Sequence, residues 1–127
     1  MNKSSWLDLI TIHRRKCEDI LKCSRDIRYA GCFNEYGRTI AGKIRPGIKP
    51  LFSPNLVREE FFAIASTIRL RQKTSKGLGD LQYIMVNHKK INVLLFSKNN
   101  ITYYITLSPK NPPNSILIGK IQKIIIK

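Results

Sequence analysis

The segment Ile27–Lys43, IRYAGCFNEYGRTIAGK, has the pattern of a β-hairpin and lies between two segments of helical periodicity. From Ile27 to Phe33 the residues alternate with a period of two, which is typical of a pleated strand with one face better buried than the other. Turn residues follow, and Gly37 among them can adopt a positive φ angle. The sequence therefore predicts a second, short strand at Arg38–Ile44, followed by a loop to Phe52.

The segment before the hairpin predicts a helix from about Ser5 to Lys22, with Ser4 or Ser5 as its cap. Residues at helical spacing are expected to face the core. They are Trp6, Ile10, His13, Cys17 and Ile20.

A second helix is predicted after the hairpin. Ser53 suits the N-cap, and Pro54 fits the first helical position, where its missing N–H costs nothing. We expect Gly77 and Gly79 to break this helix. Its predicted buried stripe consists of Val57, Phe61, Ile64, Ala65 and Ile68.

The rest of the chain predicts a three-stranded meander and a last helix. The expected strands are Leu81–Val86, Ile91–Phe96 and Ile101–Leu107, and their short connections suit antiparallel hairpins. Val93–Phe96 is apolar at consecutive positions, so both faces of this strand should be covered.

Prolines are expected to stop the sheet, at Pro109, Pro112 and Pro113. Asn114 or Ser115 can then cap a helix. Its expected buried face consists of Leu117, Ile121, Ile124 and Ile125. The run 124–126 also fits a strand, but we prefer the helix.

These elements predict a single domain over residues 1–127, since a chain of this length builds one core. The predicted fold class is α+β, a five-stranded antiparallel sheet flanked by helices in the order αββαβββα.

This order resembles the roadblock (dynein light chain) fold, with a profilin-like outline. The segment 27–51 is similar to small roadblock-like proteins of ammonia-oxidising archaea, through Tyr29–Gly31, Tyr36–Gly42 and Gly47–Leu51. The resemblance implies a non-enzymatic scaffold that binds small GTPases or holds assemblies together. It also implies a homodimer that pairs the second helix and the edge strand after it. Leu56 and Phe62 lie outside the buried stripe and are the candidate dimer contact.

The net charge of +15 attracts polyanions, and residues 81–127 contain seven lysines and no Asp or Glu. An A+T-rich genome would also favour lysine, so the charge has a compositional explanation. The candidate basic interaction surface combines a cluster at the end of the second helix with cations of the hairpin region. It comprises Arg69, Arg71, Lys73, Lys76, Arg38, Lys43, Arg45 and Lys49.

Two partner classes suit this surface. The first is a protein with an acidic surface. The alternative is unspecific nucleic-acid or polyanion binding, because exposed aromatics beside glycines, which sequence-specific RNA readout needs, are missing. A lesser alternative is a small-ligand sensory domain, with Tyr83, Tyr103 and Tyr104 lining a pocket or, as we prefer, packing in the core.

No catalytic, metal or cofactor site is expected. His13 and Cys17 share a helical face, but no further metal ligands are identifiable. His88 lies in a predicted turn and should be solvated, since no acid follows Asp80 in the sequence, although Asp80 or an earlier acid could still meet it in space. Gly77-Leu78-Gly79 closes a helix, whereas a phosphate loop opens one, and Glu59-Glu60 complements a helix dipole.

We expect a cytoplasmic protein. The first residues lack the long apolar run of a signal peptide or membrane span. Cys17, Cys23 and Cys32 are odd in number and lack CxxC spacing, which favours reduced thiols that fill core space.

Overall fold

The computed structural model describes residues 3–110 and 113–127, with side chains in the first helix from Ser5 onward. Within these residues, helices and strands follow the predicted order, with one additional short helix. They are α1 (Lys3–Leu21), β1 (Ile27–Phe33), β2 (Thr39–Ile44), α2 (Pro54–Lys73), α3 (Ser75–Leu78), β3 (Ile84–Asn87), β4 (Asn92–Lys98), β5 (Ile101–Leu107) and α4 (Ser115–Ile126).

The five strands form one antiparallel sheet in the order β2-β1-β5-β4-β3. This confirms the predicted α+β class. β5 lies at the centre, and β2 and β3 are the edge strands. Asn99 and Asn100 join β4 to β5 with φ angles of 53° and 65°, the positive values that a tight two-residue hairpin turn requires.

The sheet separates two apolar layers. α1 and α4 cover one face, and α2 covers the other. On β5, Tyr103, Ile105 and Leu107 contribute to the layer of α1 and α4, while Tyr104 contributes to that of α2. The prediction that both faces of the strand at Val93–Phe96 are covered is confirmed for β4. β1 differs from its prediction, because helices on both sides bury nearly the whole strand.

Local capping explains where two helices begin. The Ser53 hydroxyl accepts from the Leu56 N–H at 3.3 Å, and the Asn114 side chain accepts from the Leu117 N–H at 2.9 Å. Both caps confirm predictions, and the last segment is a helix. α1 already includes Lys3, so Ser5 lies inside the helix and is not its cap. The side chain of Ser4, and Pro112, lie outside the described residues.

The end of α2 corrects the predicted break at Gly77. The helix ends at Lys73, because the Thr74 hydroxyl donates to the Arg71 carbonyl at 2.8 Å and that of Ser75 donates to Gln72 at 2.8 Å. Such side-chain bonds compete with the helical ladder. Gly77 instead lies within α3, and Gly79 ends α3 with a φ of 84°.

β3 is shorter than predicted, because its pairing with β4 starts only at Ile84. Tyr83 lies before the strand, where its ring packs against Phe96 with centroids 6.1 Å apart. Across the described residues, no helix is long and apolar enough to cross a membrane.

Candidate interaction surface

The solvent-facing side of α2 carries exposed apolar side chains. Phe61, Ala65 and Ile68 bury the opposite side of the helix against the sheet, as the sequence predicts. Phe62 remains 60% exposed and Leu70 52% exposed. Residues separated by three, four or seven positions share a helical face. One line along the outside of α2, which we call the α2 stripe, therefore contains Glu59, Phe62, Ser66, Leu70 and Lys73.

The α2 stripe is symmetric about Ser66. Phe62 and Leu70 each lie four residues from Ser66, and Glu59 and Lys73 each lie seven residues from it. The apolar pair is therefore flanked by an acid at one end and a base at the other. The Ser66 hydroxyl donates to the Phe62 carbonyl at 3.1 Å, so the centre of the stripe is small and internally bonded.

The sequence prediction found only part of this stripe. It named Phe62, which lies on the stripe, and Leu56, which is 45% exposed near the beginning of the same helix. It missed Leu70, and it explained Glu59 only by the helix dipole. The seven-residue spacing of Glu59, Ser66 and Lys73 is the signal that identifies the line.

The cations at the end of α2 do not share one face. Arg69 and Lys73 are four residues apart and lie together, whereas Arg71 points elsewhere on the helix. Lys76 follows in α3. Arg69 also holds the hairpin turn, because its guanidinium donates to the Glu35 carbonyl and to the Ser66 hydroxyl at 3.2 Å.

The hairpin cations are also divided. Arg45 is half-buried, and its guanidinium donates to three carbonyls: Ile27 at 2.7 Å, Leu21 at 2.6 Å and Ser24 at 2.9 Å. It thereby ties the end of α1 to the start of β1. Arg38 lies exposed beside the hairpin turn, Lys43 on β2 and Lys49 in the loop before α2. The structure therefore distributes the eight predicted cations over several surfaces.

Two further titratable side chains, those of His13 and Tyr104, form hydrogen bonds within the protein. His13 is buried and forms a hydrogen bond through Nδ1 with the Tyr103 hydroxyl. Burial, and secondarily the positive charge of Lys16, lowers the pKa of His13. Burial raises the pKa of Tyr104, whose hydroxyl donates to the Glu60 carboxylate at 2.7 Å. His88 lies exposed before β4.

The three cysteines are free thiols, and Cys17 and Cys32 are buried. A hydrogen bond with Cys32, together with burial, raises the pKa of Cys17. Within residues 3–110 and 113–127, no three His, Cys, Asp or Glu side chains come together in a way that would hold a metal ion. His13 and Cys17 are core residues of α1 that face the sheet.

Three solved structures illustrate the likeness of the fold. A roadblock/LC7 domain from Streptomyces avermitilis has a TM-score of 0.68 at 7% identity, covering 89% of this chain and 91% of that one. A structure of MglB with a tetrameric arrangement has a TM-score of 0.64 at 18% identity, covering 91% and 82%. Profilin II from Acanthamoeba castellanii has a TM-score of 0.57 at 10% identity, covering 88% and 92%.

These likenesses confirm the roadblock- and profilin-like fold that the hairpin and the element order predict. No protein-family model and no curated protein sequence matches the chain.

Proposed function

We propose that this protein is a non-enzymatic interaction module that forms a homodimer through the α2 stripe. The observation that carries the proposal is the exposure of Phe62 and Leu70 at equal distances from Ser66 on one helical face. Exposed apolar side chains aligned on one face are typical of protein contact sites. The MglB structure with a tetrameric arrangement shows a protein of this fold in an oligomer, which supports self-association here.

The proposed contact is an antiparallel crossing of two α2 helices at Ser66. A twofold contact places the same surface on both copies. In this crossing Phe62 faces Leu70 of the second copy, and Glu59 faces Lys73 of the second copy. A parallel crossing would instead bring each Lys73 against its symmetry mate. The charges at the two ends of the stripe therefore favour the antiparallel arrangement.

The second partner that we propose is a protein with an acidic surface, and a small GTPase is the candidate that the roadblock resemblance implies. The exposed cations Arg71 and Lys76 lie outside the α2 stripe, so the crossing leaves them accessible to a second partner. A cytoplasmic location and kinship with archaeal roadblock-like proteins stay predictions of the sequence.

Polyanion binding is less well supported than self-association. A protein that binds the backbone of a nucleic acid needs several cations along one surface, so that they contact successive phosphates. The guanidinium groups of Arg45 and Arg69 instead bond to the protein itself. Lys43 lies on β2 and Lys49 in the loop before α2, on different elements from Arg71 and Lys76.

Sedimentation equilibrium tests the dimer. We expect a dimer at tens of micromolar, in the ordinary range of interface affinities. Phe62→Glu should give a folded monomer, because its side chain is exposed in the protomer. Leu78→Glu is the matched control, since Leu78 is 77% exposed but lies in α3. A monomeric parent protein, or equal dissociation by both variants, would contradict the proposal.

A further inference from the structure

A cavity of about 430 Å³ lies between the sheet and the loop that leads from β2 to α2. Its floor is the α2-facing side of β1, β2 and β5, and Ile48, Leu51 and Phe52 of the loop form its opposite wall. Solvent can reach the cavity at its rim, where Lys49 is exposed. A volume of this size is within the range of pockets that bind small molecules.

A pair of glycines shapes the cavity floor. Gly31 and Gly42 are opposite each other in the β1–β2 ladder. The Tyr29 ring extends across both, since a Cβ atom on either glycine would collide with the Tyr29 hydroxyl. Because Gly31 and Gly42 lack side chains, the space above them is occupied by the Tyr29 ring and by the cavity.

A β-bulge supplies the charged group. Ile27 pairs with Leu107 and Tyr29 pairs with Thr106, so Arg28 is an extra residue between two ladder positions. A bulge redirects side chains locally. Arg28 and the adjacent Tyr29 consequently both line the cavity, although neighbouring strand residues normally face opposite sides.

Two residues that line the cavity each carry a buried polar atom without a hydrogen-bond partner among the described residues. The atoms are the Arg28 Nε and the Thr106 Oγ1. Thr106 is only 3% exposed. A buried donor without a partner is unfavourable, so a ligand acceptor at this position would form bonds that the protein itself does not provide.

The chemistry of the lining selects the ligand. Most lining side chains are apolar, none of the acidic side chains that the structure describes lines the cavity, and Arg28 and Lys49 are its cations. The nearby Glu60 carboxylate is engaged by the Tyr104 hydroxyl at 2.7 Å. A carboxylate accepts strong hydrogen bonds from a guanidinium, and the apolar wall suits a hydrocarbon chain.

We propose that the cavity binds a small apolar monocarboxylate, with the carboxylate at Arg28 and Thr106 and the hydrocarbon chain against Ile48, Leu51 and Phe52. The site is separate from the α2 stripe. Binding should therefore be the same in the Phe62→Glu variant, and the proposal is independent of dimer formation.

Calorimetric titration with octanoate, octanol and acetate tests the proposal. We expect octanoate to bind with a dissociation constant below about 1 mM, and both octanol and acetate to bind at least about tenfold more weakly. Equal binding of octanol would show that the carboxylate is not recognised, and no octanoate binding at millimolar concentration would likewise overturn the proposal.

Two variants locate the site. Thr106→Val keeps the shape of the side chain and removes the hydroxyl, and Arg28→Met removes the guanidinium. Each should weaken octanoate binding by about tenfold. Thr102→Val is the matched control, because Thr102 is equally buried on β5 but does not line the cavity. If Thr106→Val folds and binds octanoate like the parent protein, the assignment is wrong.

Discussion

Gly37, at the tip of the β1–β2 hairpin, packs against the backbone of Phe62 in the middle of α2. A Cβ atom at Gly37 would lie 2.7 Å from the Phe62 Cα and 2.8 Å from its N atom. Gly37 also has a φ of 82°, which disfavours any side chain. The hairpin therefore fixes the position of the helix that carries the interaction surface.

Gly37→Ala should destabilise the protein more than Gly47→Ala. Gly47 has nearly the same φ, 84°, but nothing lies within 4 Å of its Cβ position. Backbone strain alone predicts a loss of about 1 kcal/mol at Gly47, and the collision with α2 adds about 1–3 kcal/mol at Gly37. Urea unfolding measures both. Equal losses would show that the turn does not press against the helix.

Charge exchange tests the antiparallel crossing. Glu59→Lys alone and Lys73→Glu alone should each weaken the dimer, because each places like charges opposite one another. The double variant restores opposite charges and should recover most of the lost affinity. The expected coupling energy is about 0.5–1 kcal/mol, the value of an exposed ion pair. Sedimentation at low ionic strength measures the coupling. Additive losses in the double variant would contradict the pairing of Glu59 with Lys73.

His13 should make stability depend on pH. Its pKa in the folded protein lies below the ordinary value of 6.5. As the pH falls through 6.5, the unfolded chain therefore binds more protons than the folded protein. The stability present above pH 6.5 is therefore lost as the pH falls below this value. Urea unfolding between about pH 7.5 and pH 5.5 measures the change, in a window above most carboxylate titrations.

His13→Gln should remove this part of the pH dependence, and the exposed His88 provides the control variant His88→Gln. An unchanged pH profile in His13→Gln would assign the effect to another group.

Arg45→Met should destabilise the fold by about 2–4 kcal/mol, because three carbonyls lose a charged donor. Arg45→Lys should recover only part, since an ammonium cannot reproduce the fork of a guanidinium. Lys43→Met, an exposed change in the same hairpin, should stay within about 0.5 kcal/mol of the parent protein. Equal effects at the two positions would show that the three contacts contribute little.

Binding to random DNA should be weak and only moderately dependent on salt. Each phosphate contact on duplex DNA changes the slope of log affinity against log salt by about −0.9. Because the cations lie on several surfaces, we expect few simultaneous contacts. Replacing Arg69, Arg71, Lys73 and Lys76 by Ala should therefore change the slope little. A steep slope that this quadruple change flattens would favour the polyanion alternative.

Local chemistry made much of the fold predictable. Ser53 and Asn114 act within three residues of their bonding partners, so their capping roles can be read from neighbouring residues. The buried face of α2, with Phe61, Ala65 and Ile68, likewise follows from helical spacing. Where the rules compete, prediction was less accurate: Thr74 ends α2 through its own hydroxyl, before the glycines that the sequence favours.

The role of Arg45 depends on contacts across 18 to 24 residues of chain, which no local pattern indicates. The bulge at Arg28 similarly depends on the register with β5. The charge cluster was visible in the sequence, but the direction of each side chain was not. For the same reason, the sequence did not show that the three tyrosines of the predicted meander lie in different places. Tyr104 lines the cavity, Tyr103 packs in the layer of α1 and α4, and Tyr83 is 41% exposed.

The placement of α1 and α4 in one layer has a practical consequence for experiments. α1 begins at Lys3 and α4 ends at Ile126, and both pack on the face of the sheet opposite α2. A fluorophore or an affinity tag attached to the outer side of either helix would lie on the side away from the α2 stripe and the cavity. The protein can therefore be immobilised or labelled through both helices while its two proposed binding surfaces remain accessible.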